Sequence, residues 1–308
     1  MEVTQPGQLR GLEDSALEYL IVDVFTPEAG QPFAGNPLAV VLGADDLSTA
    51  QCQALAVEFN LSETVFPMAP TTPEAHYRAR IFTPSSELPF AGHPSVGVAW
   101  TLHALGRLPA GEVVQECGAG LVRLQIPEAG GPVTLSGPLP TSSEPVDPAP
   151  LLAALHLTDA DLGEHPPRNG GSGIPFAYLN VRASALEKVL PDLAAIGALS
   201  TPVTGLHVFA LTEAGSGQPI GVRARMFAAD IGGEDPATGS ASLGFAGWLV
   251  ASGLAAGDGE TAYTIRQGFE MGRPSVLACD VTVAGGQISR VRVTGHTALV
   301  ASGRIRLP

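Results

Sequence analysis

The chain carries one motif twice, and this repeat constrains the fold more than any other feature of the sequence. The first copy, residues 79–100, contains the turn Ala91-Gly92-His93-Pro94-Ser95, and the second, residues 224–246, contains Thr238-Gly239-Ser240-Ala241-Ser242. Gly92 aligns with Gly239 at an offset of 147 residues (239 − 92). A solenoid repeat is only roughly 20–50 residues long, whereas this offset is a domain length. The sequence therefore predicts two related domains side by side.

Composition narrows the classes of partner and of chemistry. The net charge of −14 argues against nucleic acid as a partner, because phosphate binding depends on basic patches. Lys188 is the single lysine, which argues against Schiff-base chemistry. The three cysteines are too few and too scattered for a disulfide framework or a zinc site, so no metal is expected. A reduced, cytoplasmic environment fits this cysteine usage.

The chain shows no membrane signal that outweighs a globular interpretation. Its N-terminus lacks the basic start and the apolar core of a signal peptide. The 19 residues 239–257 carry no charge, but they are rich in Gly, Ala and Ser and lack flanking arginines. We expect a buried helix there and no association with a membrane.

The segments after the two glycine turns suggest how each domain is built. Each is small or apolar on every side, and a helix without a polar face must be buried all round. Gly and Pro fall between short apolar runs, which is typical of many strands joined by tight turns. We therefore predict an α+β fold of two pseudo-symmetric domains, residues 1–130 and 131–308, each a mostly antiparallel, barrel-like sheet around a central helix. Four β runs are expected to close the chain, the last two near 288–293 and 297–307, and the C-terminal strand can pack back onto the first domain.

Both glycine turns directly precede their helices and are candidate anion sites. A helix N-terminus offers N–H groups and about half a positive charge, enough to hold a carboxylate. Glycine lets the backbone approach a ligand closely, and His93 or Ser240 places a polar group at the opening. The alternative is that these are ordinary caps and tight turns. The duplication favours the functional interpretation, because two related caps at a domain interface converge on one space.

Two acidic residues are candidates for proton transfer. Glu63 lies between Leu61 and Val65 at a predicted helix-to-strand junction, where apolar surroundings raise a carboxyl pKa toward working pH. A capping or solvated glutamate is the alternative. Asp235 aligns with Leu88 of the first copy, so it breaks the symmetry of the repeat, as an asymmetric substrate requires. Its alternative role is a turn residue before Pro236.

The remaining candidates are histidines and a cysteine. His93 can be a proton relay, a substrate donor or a buried structural residue, and its position at the turn favours the first two. His207 and His296 lie in strand-like surroundings and are interpreted as structural. Cys117-Gly118-Ala119-Gly120 looks like the thiol–glycine turn of a cysteine racemase, but it lies in a predicted hairpin and no cysteine occupies either helix cap.

Several of these runs together resemble one family. They are Val22-Asp23-Val24-Phe25, Gly35-Asn36-Pro37, Asn60-Leu61-Ser62-Glu63-Thr64, Phe82-Thr83-Pro84, Phe90-Ala91-Gly92-His93-Pro94, Glu234-Asp235-Pro236-Ala237-Thr238-Gly239-Ser240-Ala241, Gln267-Gly268 and Gly272-Arg273-Pro274-Ser275. In this order they resemble the PhzF-like phenazine-biosynthesis isomerases over almost the whole chain. The resemblance implies the fold of diaminopimelate epimerase, with the site in the cleft between the domains, and a cofactor-free isomerase that is usually a homodimer.

The resemblance also implies roles for individual residues. Glu63 would be the acid/base, with His93, Asp235 and Ser240 orienting or relaying. A second set, Gly92, Thr238 and Gly239, would bind a substrate carboxylate. The resulting hypothesis is an isomerase or epimerase that moves a proton on a small carboxylated metabolite. Two alternatives stay open, a cysteine racemase of the same fold and a non-catalytic protein that binds ligands in the same cleft.

Overall fold

The computed structural model describes residues 16–128, 130–199, 203–212, 218–229 and 231–308. Within these ranges it contains six α-helices, a single 3-10 turn at Asp159–Asp161 and 17 strands. The helices are α1 (Thr49–Phe59), α2 (Gly92–Ala104), α3 (Ala149–Ala154), α4 (Ala183–Leu186), α5 (Leu193–Gly197) and α6 (Gly239–Ala251). The strands are β1 (Ala16–Thr26), β2 (Asn36–Val41), β3 (Glu63–Met68), β4 (Tyr77–Phe82), β5 (Glu87–Leu88), β6 (Gly111–Cys117), β7 (Gly120–Ile126), β8 (Val133–Ser136), β9 (Thr141–Pro145), β10 (Arg168–Ser172), β11 (Ile174–Asn180), β12 (Gly205–Thr212), β13 (Ile220–Ala228), β14 (Gly233–Asp235), β15 (Gly259–Gln267), β16 (Ser275–Ala284) and β17 (Gln287–Arg306).

The strands curve around two central helices. Around α2 they pair in the order β1, β2, β3, β4, β6, β7, β8 and β17, and β17 pairs with β1 to close the ring. Around α6 the order is β9, β10, β11, β12, β13, β15, β16 and β17. Most pairs are antiparallel, and the parallel pairs β2–β3 and β4–β6 correspond to β11–β12 and β13–β15. The predicted α+β architecture is confirmed.

The repeated residues of the two motifs make equivalent contacts in the two halves. Gly97 and Gly244 let the central helices lie close to their sheets: a Cβ atom at Gly97 would lie 2.6 Å from Leu38 Cδ2, and one at Gly244 would lie 2.2 Å from Tyr178 Oη. Any larger side chain would push helix and strands apart. The repeat thus follows from packing a thin helix inside a closed sheet twice.

An ion pair is duplicated as well. Arg80 on β4 binds Glu87 on β5, and Arg225 on β13 binds Glu234 on β14. Both guanidinium groups form two hydrogen bonds to their carboxylate, the geometry that makes such pairs strong. The first pair joins β4 to β5 and the second joins β13 to β14, and β5 and β14 lead into the glycine turns. Each pair therefore fixes where the following helix, α2 or α6, begins.

The outer helices cover the sheets and enclose separate cores. α1 packs on β3 and β4, while α5 contacts α3, β12 and β13. Ser48 caps α1, as its side chain accepts a hydrogen bond from the backbone of Gln51. α6 is buried along almost its whole length. No helix in the described part of the chain combines the length and the apolar character that crossing a membrane requires.

The C-terminal strand differs from the prediction. The last two β runs are one strand, β17, which pairs with β8 through residues 292–295 and with β1 through residues 296–306. Gly295 makes no turn. A Cβ atom there would lie 2.1 Å from Phe25 Cδ1, so the glycine serves close packing within an extended strand. β17 belongs to both sheets, and the division of the chain at residues 130 and 131 stays a prediction.

Candidate active site

All seven residues predicted for the site line one cavity between the two central helices. The cavity measures about 90 Å³ and lies where the N-termini of α2 and α6 meet. The seven are Glu63, Gly92, His93, Asp235, Thr238, Gly239 and Ser240. Four of them come from the second half of the chain and three from the first. Both halves are therefore needed to form the cavity.

The two helix N-termini approach each other at their glycines. A Cβ atom at Gly92 would lie 3.1 Å from Gly239 Cα and 3.2 Å from Ser240 N, and one at Gly239 would lie 3.3 Å from Gly92 Cα. In neither helix does the side chain of the cap residue, Ala91 or Thr238, accept a hydrogen bond from the helix terminus. Two positive dipole ends thus point at one small space, which favours an anion between them.

Glu63 faces His93 across the cavity. α1 ends at Asn60, whose left-handed conformation (φ 49°) turns the chain so that β3 begins at Glu63. The Glu63 Oε2 atom lies 3.3 Å from His93 Nε2, and the two side chains are 13% and 5% exposed. Burial lowers the pKa of His93 to about 3, so the imidazole is neutral at physiological pH. The contact is therefore between a neutral ring and a carboxyl group.

Asp235 is held rigidly by groups on three sides. Its Oδ1 accepts a hydrogen bond of 2.8 Å from Asn36 Nδ2, and its Oδ2 accepts one of 2.5 Å from Thr238 Oγ1. Gln267 Nε2 donates to the Asp235 backbone carbonyl at 2.7 Å and to Thr238 Oγ1 at 3.0 Å. The hydroxyl of Thr238 is thus engaged with Asp235, and Thr238 faces the cavity mainly as the cap of α6.

Asn36 is a residue of the site that the sequence reasoning missed. It is fully buried at the start of β2, and its amide nitrogen contacts Asp235, the Ala237 carbonyl at 3.1 Å and His93 Nδ1 at 3.3 Å. The one signal in the sequence was its place between Gly35 and Pro37 in a run that carried the family resemblance. A polar residue between two turn residues looks like a turn residue itself, which concealed its role.

A clamp between the two halves holds the turn that leads into Asn36. Arg273 donates hydrogen bonds to Asp23 Oδ1 (2.5 Å), to the Gly35 carbonyl (3.0 Å) and to the Ala34 carbonyl (3.1 Å). The Gly35 amide in turn donates to the Pro274 carbonyl at 2.9 Å. Asp23 is 1% exposed, whereas the Arg273 side chain is 26% exposed, so the carboxylate of this pair is buried and the guanidinium group is only partly shielded from water.

The rest of the cavity wall is mainly apolar, with the hydroxyl-bearing Thr83 and Thr204, and it offers no charged side chain to an anion. Leu88, Phe176, Met226 and Ile231 line it, and no lysine or arginine does so among the described residues. A bound carboxylate would thus depend on backbone N–H groups and hydroxyls rather than on a cation. No group of three or more His, Cys, Asp or Glu side chains that could hold a metal ion occurs in the described ranges.

Cys117 lies outside the cavity. It ends β6, and its Sγ is 3.4 Å from the Gly120 carbonyl across the hairpin turn that leads into β7. This turn contacts the segment that precedes α2, because the Ala119 amide donates a hydrogen bond to the Pro89 carbonyl at 2.9 Å. Burial raises the pKa of the Cys117 thiol, which disfavours the reactive thiolate.

Comparison with known proteins shows the family of the chain. The family model for phenazine biosynthesis-like proteins, PhzC-PhzF, matches residues 22–303. The chain belongs to this family. An uncharacterized isomerase of Mesorhizobium japonicum is 38% identical over 300 residues, which cover 93% of the chain and 98% of that protein. The trans-2,3-dihydro-3-hydroxyanthranilate isomerase of Pseudomonas aeruginosa is 36% identical over 297 residues, 94% of the chain and 99% of that enzyme.

Solved structures of PhzF-family proteins share the fold. The crystal structure of a Bacillus anthracis member superposes with a TM-score of 0.83 at 22% sequence identity, covering 95% of this chain and 99% of that one. Because the similarity to these named isomerases covers 93–94% of this chain and 98–99% of theirs, this PhzF-family protein is an isomerase.

Proposed function

We propose that this isomerase moves a proton on a small carboxylated substrate without a cofactor, using Glu63 as the acid/base. One observation carries the proposal: the Glu63 carboxyl group lines a small cavity between two helix N-termini, 3.3 Å from neutral His93. A base, a donor and two anion-binding dipoles within one water-poor space suit the removal of a proton from carbon. Gly92, Thr238 and Gly239, at the two caps, would bind the substrate carboxylate.

In the proposed mechanism the proton moves and no other group is transferred. Glu63 accepts the proton of a C–H bond, and the electron pair of that bond delocalises toward the bound carboxylate. The helix N-termini stabilise this negative charge as it grows, which lowers the barrier. Protonation at a different carbon by the Glu63 carboxylic acid returns the electron pair to a C–H bond, regenerates the Glu63 carboxylate and completes the isomerisation. His93 and Ser240 would orient or relay the proton.

The substrate class follows from the size and the lining of the cavity. A mainly apolar wall with a few hydroxyl groups, and the absence of a lysine or arginine among the described lining residues, favour a compact monocarboxylate. The relative from Pseudomonas aeruginosa is named for trans-2,3-dihydro-3-hydroxyanthranilate, which makes that compound the first to assay. A homodimer in the cytoplasm is part of the proposal through the family resemblance, and light scattering tests the dimer.

Two alternative functions are separable by variants. A cysteine racemase of the same fold would lose activity on Cys117→Ser and keep it on Glu63→Gln. Against this alternative, the Cys117 thiol is buried and lies outside the cavity. A non-catalytic binding protein would bind carboxylates by calorimetry yet leave every substrate proton in place.

The deciding experiment measures turnover of trans-2,3-dihydro-3-hydroxyanthranilate by the wild type and by Glu63→Gln. We expect a loss of at least about 10³-fold in kcat for Glu63→Gln, because the acid/base is removed while its size is kept. The matched control is Glu112→Gln on the surface, where Glu112 pairs only with exposed Arg123, and it should keep full activity. Activity should also survive dialysis against EDTA. Full turnover by Glu63→Gln would rule out the assigned role.

A further inference from the structure

Asn36 links the two halves of the site through a single amide group. Its side chain is fully buried, and its Nδ2 lies 2.8 Å from Asp235 Oδ1, 3.1 Å from the Ala237 carbonyl and 3.3 Å from His93 Nδ1. Asp235 and Ala237 come from the second half of the chain, whereas His93 comes from the first.

The orientation of this amide follows from its partners. A carboxylate and a backbone carbonyl only accept hydrogen bonds, so the group that faces both must be the NH₂ and not the oxygen. The opposite orientation would set the amide oxygen against two other oxygens at hydrogen-bonding distance. The turn before Asn36 is held from the second half as well, because Arg273 binds the Gly35 carbonyl and Pro274 accepts from the Gly35 amide.

The NH₂ group determines which nitrogen of His93 carries the hydrogen. A neutral imidazole has one N–H and one bare nitrogen. The two hydrogens of Asn36 Nδ2 are directed mainly at Asp235 Oδ1 and the Ala237 carbonyl, and an amide nitrogen accepts no hydrogen bond. A hydrogen on His93 Nδ1 would therefore face a group that cannot accept it, so Nδ1 must be the bare nitrogen. The hydrogen then lies on Nε2, which is 3.3 Å from Glu63 Oε2. Glu63 thus faces an N–H donor rather than a second acceptor.

We infer that Asn36 is a positioning residue that selects the Nε2–H tautomer of His93 and, through the same amide group, holds the Asp235 carboxylate in place. The catalytic consequence rests on the proposed function, since it concerns the proton that Glu63 moves. In the proposed function, an N–H at His93 Nε2 would be available to Glu63 or to a substrate in the same cavity. The assignment of the tautomer does not depend on any activity.

The primary test is ¹⁵N NMR of the histidine imidazoles in the wild-type protein and in Asn36→Asp. The seven histidines are distinguished by comparison with His93→Gln. In the wild type we expect a neutral His93 with its hydrogen on Nε2 from pH 5 to 9. In Asn36→Asp the new carboxyl group has at most one hydrogen, which the adjacent Asp235 takes, so it faces Nδ1 as an acceptor. Nδ1 should then carry a hydrogen.

A matched control separates this effect from a general loss of packing. Asn180 is also buried and donates to the Phe209 carbonyl, but it lies away from the cavity. Asn180→Ala should leave the His93 signals unchanged. A wild-type His93 with its hydrogen on Nδ1 would overturn the inference, and so would unchanged His93 signals in Asn36→Asp. If Asn36→Asp fails to fold, the wild-type spectrum alone still decides the tautomer.

A kinetic measurement tests the positioning role. With trans-2,3-dihydro-3-hydroxyanthranilate, Asn36→Ala should lower kcat by about 10- to 100-fold, because a residue that orients a substrate-contacting side chain usually contributes this much. KM should stay within about threefold of the wild-type value. Asn180→Ala should keep the wild-type kcat per folded molecule. An unchanged kcat in Asn36→Ala would contradict the positioning role. If the wild type turns over none of this compound, the proposed function is in doubt, whereas the NMR result still stands.

Discussion

Two buried histidines occupy different surroundings in this molecule. His93 faces polar groups in the cavity, whereas His207 lies on β12 against the rings of Tyr178, Phe209 and Phe245. Burial lowers the pKa of each to about 3. A neutral His93 is part of the proposed chemistry. His207 has no such use, so its burial is a matter of stability alone.

We predict that His207 makes the fold sensitive to acid. An imidazole in the unfolded chain titrates near 6.5, whereas His207 in the folded chain stays neutral down to about pH 3. Between these values the unfolded state binds the extra proton, so stability falls as the pH falls, with a slope of about 1.4 kcal/mol per pH unit for one group. His207→Met should lower the slope by about 1.4 kcal/mol per pH unit between about pH 6 and pH 4, measured by urea unfolding, while the contribution of His93 remains. The same slope in both proteins would contradict the prediction.

At the scale of residues, the repeat allowed prediction of most of the cavity. Gly92 and Gly239 align, and the departures from symmetry at Asp235 and Ser240 identified the remaining positions. Glu63 was found through its junction between helix and strand. Asn36 was missed because its role depends on contacts 57 and 199 residues away, with His93 and Asp235, which no local pattern reveals.

At the scale of elements, the two glycine-capped helices are the parts on which the site depends. The sequence predicted both, because a segment that is apolar on every side can only be a buried helix or strand, and the glycine turns indicated where each begins. The single strand β17 was not predicted. Gly295 reads as a turn in sequence, and only the close approach of Phe25 shows why a glycine is needed there.

Gly92→Ala should separate the two helix N-termini. The new Cβ would lie 3.1 Å from Gly239 Cα and 3.2 Å from Ser240 N, both backbone atoms, so the helices must move by a few tenths of an ångström. We expect carboxylate binding to weaken by about tenfold or more while the free energy of unfolding falls by only about 1 kcal/mol. Calorimetry and urea unfolding measure the two effects.

Gly257→Ala is the control for that change, because Gly257 has open space around its Cα atom and a backbone conformation that alanine can adopt. It should bind as the wild type does. Undiminished binding by Gly92→Ala would show that the close approach of the caps is unimportant for the ligand.

At the scale of the whole molecule, two related halves are joined so that the residues that differ between the two copies of the motif line the same cavity. β17 belongs to both sheets, and Arg273 of the second half clamps the turn before Asn36 of the first. The repeat in the sequence predicted the two halves and their central helices. It could not predict the clamp, because Arg273 and Asp23 have no equivalent pair in the repeated motif.

We predict that Arg273→Met lowers the free energy of unfolding by about 2 kcal/mol and also lowers kcat. Asp23 is 1% exposed and would lose its charged partner, although it still accepts a hydrogen bond from the Phe33 amide. The turn before Asn36 would loosen. Arg123→Met, which removes an exposed ion pair with Glu112, should change stability by no more than about 0.5 kcal/mol. Equal losses in the free energy of unfolding for Arg273→Met and Arg123→Met would show that the clamp stabilises the fold no more than an exposed ion pair does.

Proton transfer by Glu63 is the central claim, and exchange with solvent tests it most directly. Wild-type enzyme, incubated in D₂O with trans-2,3-dihydro-3-hydroxyanthranilate, should place deuterium on a ring carbon as seen by ¹H NMR. If the proton held by Glu63 returns to the substrate before it exchanges with solvent, the product of that turnover keeps its hydrogen. The reaction in D₂O is therefore followed until it reaches equilibrium. Glu63→Gln should incorporate no deuterium above the enzyme-free rate, whereas Glu112→Gln should match the wild type. Deuterium uptake by Glu63→Gln at the wild-type rate would contradict the account.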